Sequence, residues 1–200
     1  LVICRDMGNG EFEIDPVNTI PRWKQYTWLF SDKTGIIYGM NNLSTLDFLQ
    51  YDSTLVLIDT LPFNAYTNCM TRIPGKEEIW IGTDNGIFKL DPVKRLLDTL
   101  PWLEFLSGIV INGIVPENEN KIWISTNQGI YFLEPRTEKY RQFDLSNGIG
   151  SMTFNPNAFL RRRNGEIWFA SHDGTTVIPP GIQFKEVPLR QIHFTKILVN

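Results

Sequence analysis

The sequence predicts an all-β protein assembled from repeated four-stranded antiparallel sheets, and three observations carry that prediction. A phrase recurs as EIWIGTDNGIFKLDP at residues 78–92, KIWISTNQGIYFLEP at 121–135 and EIWFASHDGTTVIPP at 166–180. Within it Trp80, Trp123 and Trp168 stand 43 and 45 residues apart, and each is followed six residues later by a glycine, Gly86, Gly129 or Gly174. Each copy consists of short apolar runs cut by turn residues such as Asn85-Gly86, Asp91-Pro92 and Asp173-Gly174. No stretch of about ten residues carries apolar positions at helical spacing. A period of roughly 40 to 50 residues with this texture selects a β-propeller.

Each unit supplies its strands in order. The runs 67–73, 108–115 and 158–162 precede the tryptophans and form the first strand; the turn signals Gly75-Lys76, Glu117-Asn118 and Asn164-Gly165 close them. The second and third strands, Ile79 to Gly82 and Ile87 to Leu90 in one unit, flank Asp84-Asn85-Gly86. Asn-Gly there predicts a type I′ hairpin, which needs positive φ at both central residues. Pro92 ends the third strand because it cannot donate to a ladder. Segments 94–98 and 139–144 supply the fourth strand. Blades stack face to face, so middle strands are covered on both sides, read as apolar runs such as Ile79-Trp80-Ile81, and use tryptophan as the large contact between blades.

Two fainter copies extend the array. LVICRDMGNGEFEIDP at 1–16 puts Cys4 in the tryptophan place, with Gly10 six residues on and Asp15-Pro16 after it. GIIYGMNN puts Ile37 one 43-residue period before Trp80, with a longer central hairpin over residues 41–47. Five units result, anchored at 4, 37, 80, 123 and 168 and spanning 1–186: about four complete blades and a partial one. A further echo, LIDTLP at 57–62 and LLDTLP at 96–101, follows the second and third units. The chain opens mid-strand without Met and reads as an excised fragment, whose open ends predict instability or self-association in isolation.

Composition limits the function. The formal charge is −3, which leaves no basic stripe to neutralise nucleic-acid phosphates. Arg161-Arg162-Arg163 is the exception, and it reads as a solvated strand end before the Asn164-Gly165 turn. No run approaches the ~20 apolar residues of a membrane helix. Cys4 and Cys69 fall two units apart and read as buried free thiols acting as small hydrophobes. His172 and His193 have no metal-spaced companion, and the contiguous Ser171-His172-Asp173 lacks the spatial convergence a triad needs. The expectation is therefore no catalytic residue, no metal and no cofactor.

The pattern [EK]-I-W-[IF]-[GSA]-[TS]-x-x-G-[IT] with its Asp-Pro-like stop resembles the two-component regulator propeller repeat, closely over residues 67–186 and loosely before that. VPLRQIHFTKILVN at 187–200 is similar to the opening strand of the tyrosine-motif immunoglobulin-like domain that follows the propeller in that family. The resemblance implies a seven-bladed ring in the periplasmic sensor region of a hybrid two-component system of gut Bacteroidetes. It further implies a homodimer, a membrane helix downstream, and cytoplasmic histidine kinase and regulator modules.

Strand alternation places the turn after each tryptophan and the loop entering the next blade on one side of the disc. That side carries Asp84, Asn85, Asn127, Gln128, His172 and Asp173, with entry loops over 61–66, 100–105 and 145–156. Aromatic rings beside amides and carboxylates suit sugars, whose C–H faces stack while their hydroxyls take directed hydrogen bonds. The candidate ligand-binding residues are Phe63, Tyr66, Trp102, Glu104, Asn147, Phe154, His172 and Asp173; the blade-core residues are Trp80, Trp123, Trp168, Gly86, Gly129 and Gly174. Against the ligand reading, Asn85, Asn127 and Asp173 are residues that tight turns demand, and Trp102 and Phe154 can serve as blade caps. The expected function is sensing of a glycan-derived oligosaccharide to regulate transcription of polysaccharide-utilisation genes. The alternatives are a non-catalytic interaction scaffold and, more distantly, a carbohydrate lyase or hydrolase.

Overall fold

A computed structural model describes residues 2–6, 12–16, 24–31, 34–41, 45–52 and 54–182. The chain forms a hairpin, β1 (Val2–Asp6) with β2 (Phe12–Pro16), followed by a series of antiparallel sheets whose strands pair in chain order. Blade 2 holds β3 (Tyr26–Ser31), β4 (Ile36–Asn41), β5 (Thr45–Asp52) and β6 (Thr54–Pro62). Blade 3 holds β7 (Thr67–Arg72), β8 (Ile79–Thr83), β9 (Gly86–Asp91) and β10 (Leu96–Thr99). Blade 4 holds β11 (Ile111–Asn118), β12 (Lys121–Thr126), β13 (Gly129–Glu134) and β14 (Lys139–Phe143). Blade 5 contributes β15 (Phe159–Arg161), β16 (Ile167–Ser171) and β17 (Gly174–Ile178). The first strands β3, β7, β11 and β15 neighbour one another in succession, as the inner strands of a propeller do. The fold is an all-β propeller array with three four-stranded blades among the described residues. The expected immunoglobulin-like start, residues 187–200, lies outside them.

Parity along each second strand divides the core into seams. Trp80 joins Ile111, Ile114, Ile122 and Ile124 in one cluster and so faces blade 4, while Ile79 and Ile81 join Tyr38, Met40, Leu46 and Phe48 and face blade 2. One blade on, Trp123 packs with Ile167, Phe169 and Ile178 of blade 5. The tryptophan thus always points forward. Trp80 and Trp123 are 1% and 2% exposed; Trp168, on the forward face of the last described blade, is half-buried. Each indole Nε1 donates to a carboxylate: Trp80 to Glu78 at 3.1 Å, Trp168 to Glu166 at 3.2 Å and Trp123 to Glu117 at 2.7 Å. Lys121 replaces the acidic residue two before Trp123, and Glu117 supplies the acceptor from the neighbouring strand instead.

The second anchor is Tyr38, not Ile37. Tyr38 stands three residues before the end of its strand, as Trp80 and Trp123 do, joins the cluster facing blade 3, and meets Phe48 across the ladder as Trp123 meets Phe132. Ile37 belongs to the opposite face, with Leu49 and Leu55. A one-residue slip exchanges the two faces of a strand, so sequence spacing alone could not detect it. The extra length of blade 2 lies mainly in β5 and β6. The LIDTLP echo does mark equivalent places, since its two copies fall on and just after the fourth strands β6 and β10.

Three further expectations change. Glu117 and Asn118 lie within β11, and the turn follows them. The entry loop to blade 4 contains a 3-10 helix over Pro101–Leu106. The phrase turns are not of type I′: φ is positive at Gly86, Gly129 and Gly174 but not at Asn85, Gln128 or Asp173. A left-handed glycine closes each turn, and the hydroxyl of Thr83, Thr126 or Ser171 donates to that glycine's carbonyl at 2.9 to 3.0 Å. Cys69 is fully buried and free, and burial pushes its thiol up to about 12. The side chain of Cys4 lies outside the described residues.

Candidate functional site

The phrase turns and the entry loops converge on one face, held there by hydrogen bonds that repeat from blade to blade. Asp84 donates its N–H to the Tyr66 carbonyl at 3.0 Å and accepts from the Tyr66 N–H at 3.1 Å through Oδ1. Asn127 makes the same reciprocal pair with Val110, at 3.2 and 3.1 Å. Gly86 and Gly129 donate onward to Ile109 and Met152, in the loops that lead into the following blade. Asn85 Oδ1 accepts from Gly108 N–H at 2.8 Å. These turn residues therefore fasten loops, each through one side-chain oxygen.

The eight candidate residues separate by burial. Phe63 and Phe154, 4% and 2% exposed, are core: Phe63 meets Phe88 edge-on at 5.2 Å and Phe154 meets Phe169 at 6.0 Å. Neither offers a ring face to solvent. Trp102 is half-buried, 6.3 Å from Trp80, on the 3-10 helix whose Leu103 and Leu106 fill the seam between blades 3 and 4. Glu104 is exposed on that helix. Asn147 is exposed, but its Oδ1 accepts from Asp144 N–H at 3.0 Å in a capping box. His172 and Asp173 are exposed at the tip of the β16–β17 turn, with Asp173 N–H donating to Ser171 Oγ at 3.2 Å. Among the candidate Phe, Tyr and Trp rings, Tyr66 alone is well exposed, at 62%.

Tyr66 stands beside a cavity of about 400 Å³ at the seam between blades 2 and 3. Its wall combines Thr27, Met40 and Asn41 of blade 2 with Asn64, Ala65, Tyr66, Thr67 and Asp84. A second hollow of about 360 Å³, lined in part by Phe63, Asn64, Leu97 and Thr99, adjoins it through Asn64 and Ala65. A smaller hollow of about 120 Å³ lies between the β8–β9 turn and the 3-10 helix, beside Asn85, Leu103 and Glu104. Thr27, Asn41, Asn64 and Thr67 escaped the sequence reading because blade 2 departs from the repeat and Thr67 sits in a strand. The available signal was the alignment of units, in which Thr67, paired with Thr83, occupies the place of Ile111, paired with Thr126.

On the face of blade 2 that Ile37 and Leu49 share, turned away from blade 3, lies a buried polar cluster. Asp47, whose side chain is wholly buried, accepts from Lys24 Nζ and Tyr26 Oη at 2.7 Å, Asn41 Nδ2 at 3.0 Å and Thr60 Oγ1 at 2.8 Å. Burial pushes its carboxyl up, but hydrogen bonds from Lys24, Tyr26 and Thr60 outweigh it and hold the group below the usual carboxylate range. Burial and the neighbouring Asp47 carboxylate raise the Tyr26 phenol well above its ordinary value. Among the described residues no group of three or more His, Cys, Asp or Glu could hold a metal ion, and no helix is long and apolar enough to cross a membrane.

Comparisons with known proteins agree with the fold. No family model matches the chain, and no curated protein matches it. Among solved structures, an extracellular domain assigned to a hybrid two-component system of B. thetaiotaomicron superposes with TM-score 0.56 at 16% identity, covering 74% of this chain and 20% of that one. A second such domain from the same organism gives TM-score 0.54 at 15% identity, covering 84% and 30%. YCF48 from Cyanidioschyzon merolae gives TM-score 0.60 at 11% identity, covering 85% and 57%. The chain thus spans between a fifth and somewhat over half of these structures, and it shares their fold.

Proposed function

We propose that this chain is part of the extracytoplasmic, periplasmic sensor region of a hybrid two-component system. Its loop face binds a glycan-derived oligosaccharide. Binding biases two arrangements of a dimeric parent protein and alters kinase output through a membrane helix, so regulating transcription of polysaccharide-utilisation genes. The observation that carries the reading is the division of labour in each repeat: the tryptophan phrase is spent on packing, whereas the entry loops differ in length and leave Tyr66 exposed beside a polar-walled cavity. The motif resemblance and the two B. thetaiotaomicron extracellular domains support it. A ligand shifts such an equilibrium only by its differential affinity for the two states.

Calorimetric titration of the complete sensor region with host and dietary oligosaccharides tests this, coupled to a transcriptional reporter in cells. Binding together with reporter induction by the same saccharide is the expected result; a sensor region that binds none of them contradicts it. The second reading, a protein-interaction scaffold, draws support from YCF48, which shares the fold at TM-score 0.57 and 12% identity in a structure bound to D1 peptide. Capture of a peptide partner in place of a saccharide would favour that reading.

A further inference from the structure

We propose that the cleft between blades 2 and 3 is a subsite for a single neutral sugar ring, with Tyr66 as its stacking platform. This deepens the proposed function and rests on the loop face being a saccharide-binding surface. Size sets the first limit: about 400 Å³ lies at the small end of ligand pockets, fitting one ring and not an extended chain. The wall then defines the chemistry. Tyr66 presents an aromatic face at the mouth; Asn64 and Thr27, both exposed, add an amide and a hydroxyl, and Met40 adds an apolar patch. Asp84 uses Oδ1 on the Tyr66 N–H, and its carboxylate borders the cavity. A ring with one C–H face and several hydroxyls satisfies this set.

Charge decides between sugar classes. The described wall contains no Lys, Arg or His, and Asp84 is its one carboxylate. A uronate or sulfated ring would bring an anion toward Asp84 with no cation on that wall to compensate, so neutral hexoses are selected over acidic ones. The next blade supplies a clean control, because Asn127 makes the same two contacts with Val110 that Asp84 makes with Tyr66. Asp84→Asn therefore removes the charge and keeps the loop fastening.

The test is titration of the intact protein with neutral methyl hexosides, glucuronate, galacturonate and oligosaccharides ending in each, for wild type, Tyr66→Ala and Asp84→Asn, with melting temperatures measured alongside. Neutral rings should bind about tenfold or more tightly than their uronates. Tyr66→Ala should weaken neutral binding by about fivefold or more with an unchanged melting temperature, because its clamp to Asp84 uses only main-chain atoms of Tyr66. Asp84→Asn should narrow the gap between neutral and acidic rings. If an oligosaccharide binds but Tyr66→Ala leaves its affinity unchanged, or if uronates bind as well as neutral rings, the cleft is not the subsite and the sensing reading stands. If no saccharide of any length binds the wild type, the sensing reading falls as well.

Discussion

The seams on either side of blade 3 use the same second strand and end in opposite states. Toward blade 4, Trp80 lies flush against four isoleucines, and the 3-10 helix over Pro101–Leu106 lowers Leu103 and Leu106 into the groove. Phe105 then stacks on Tyr140 at 3.7 Å, and together with Tyr131 these rings extend the packing outward. Toward blade 2, Ile79 and Ile81 meet Tyr38 and Met40, but the link from Pro62 to Thr67 is too short for a helix, and from that link Phe63 packs in with Leu61, Phe88 and Leu97. An Arg95 to Asp59 ion pair at 2.6 Å, with Arg95 also over Phe48, ties the outer edge. Loop length therefore decides which seam is plugged and which stays open. The repeated phrase sets the packing geometry in both.

The closed seam should be the costlier one to damage. Trp80→Ala removes the largest buried side chain there, and a loss of about 3–5 kcal/mol in denaturant unfolding is expected. A loss no larger than that of Tyr66→Ala would mean the tryptophan is not the contact between blades. Within blade 2, on the face turned away from blade 3, Asp47→Asn leaves Lys24 buried without its carboxylate, at a cost of about 3 kcal/mol near neutral pH. Because the folded pKa of Asp47 is lowered, its contribution is complete above the unfolded value near 4 and is lost as pH falls through the folded one. Acid titration of stability should therefore show a decline below about pH 4 in the wild type that is shallower in Asp47→Asn. An equal slope in both would remove Asp47 as its source.

Leu106→Ala should cost about 2–4 kcal/mol and open the blade 3–4 groove toward the state of its neighbour. Enlargement of that groove in a crystal structure of the variant is the check. The smallest effect should run in the opposite direction. Thr67 Oγ1 is buried and unpartnered among the described residues, at the place Ile111 fills in the next blade, so Thr67→Val should raise stability by about 0.5–1 kcal/mol. A fall in stability would show that the hydroxyl has a partner after all.

Much of the fold was legible in the sequence because large apolar residues recur at fixed offsets from turn residues. Trp80, Trp123, Gly86 and Gly129 fall where the phrase puts them. Tyr38 was hidden because spacing is counted through loops, and one residue gained in a connection restores the period while exchanging faces. The candidate face was legible as a place, since strand alternation fixes which loops share it. Which rings it presents was not: Phe63 and Phe154 sit in loops yet are drawn into the seams, a result of packing partners distant in sequence. The cavity was invisible because it arises from what is missing at Ala65 and Thr67 relative to the plugged seam.

Hydrogen exchange of the intact protein with and without a bound oligosaccharide tests the central claim, that the open seam carries binding while the tryptophan phrase carries only packing. Slowed exchange is predicted across 63–67 and at 84–85, with the interior of β8 and β12 unchanged. Slowing confined to the opposite-face turns at 74–78, 118–120 and 162–165 would contradict it.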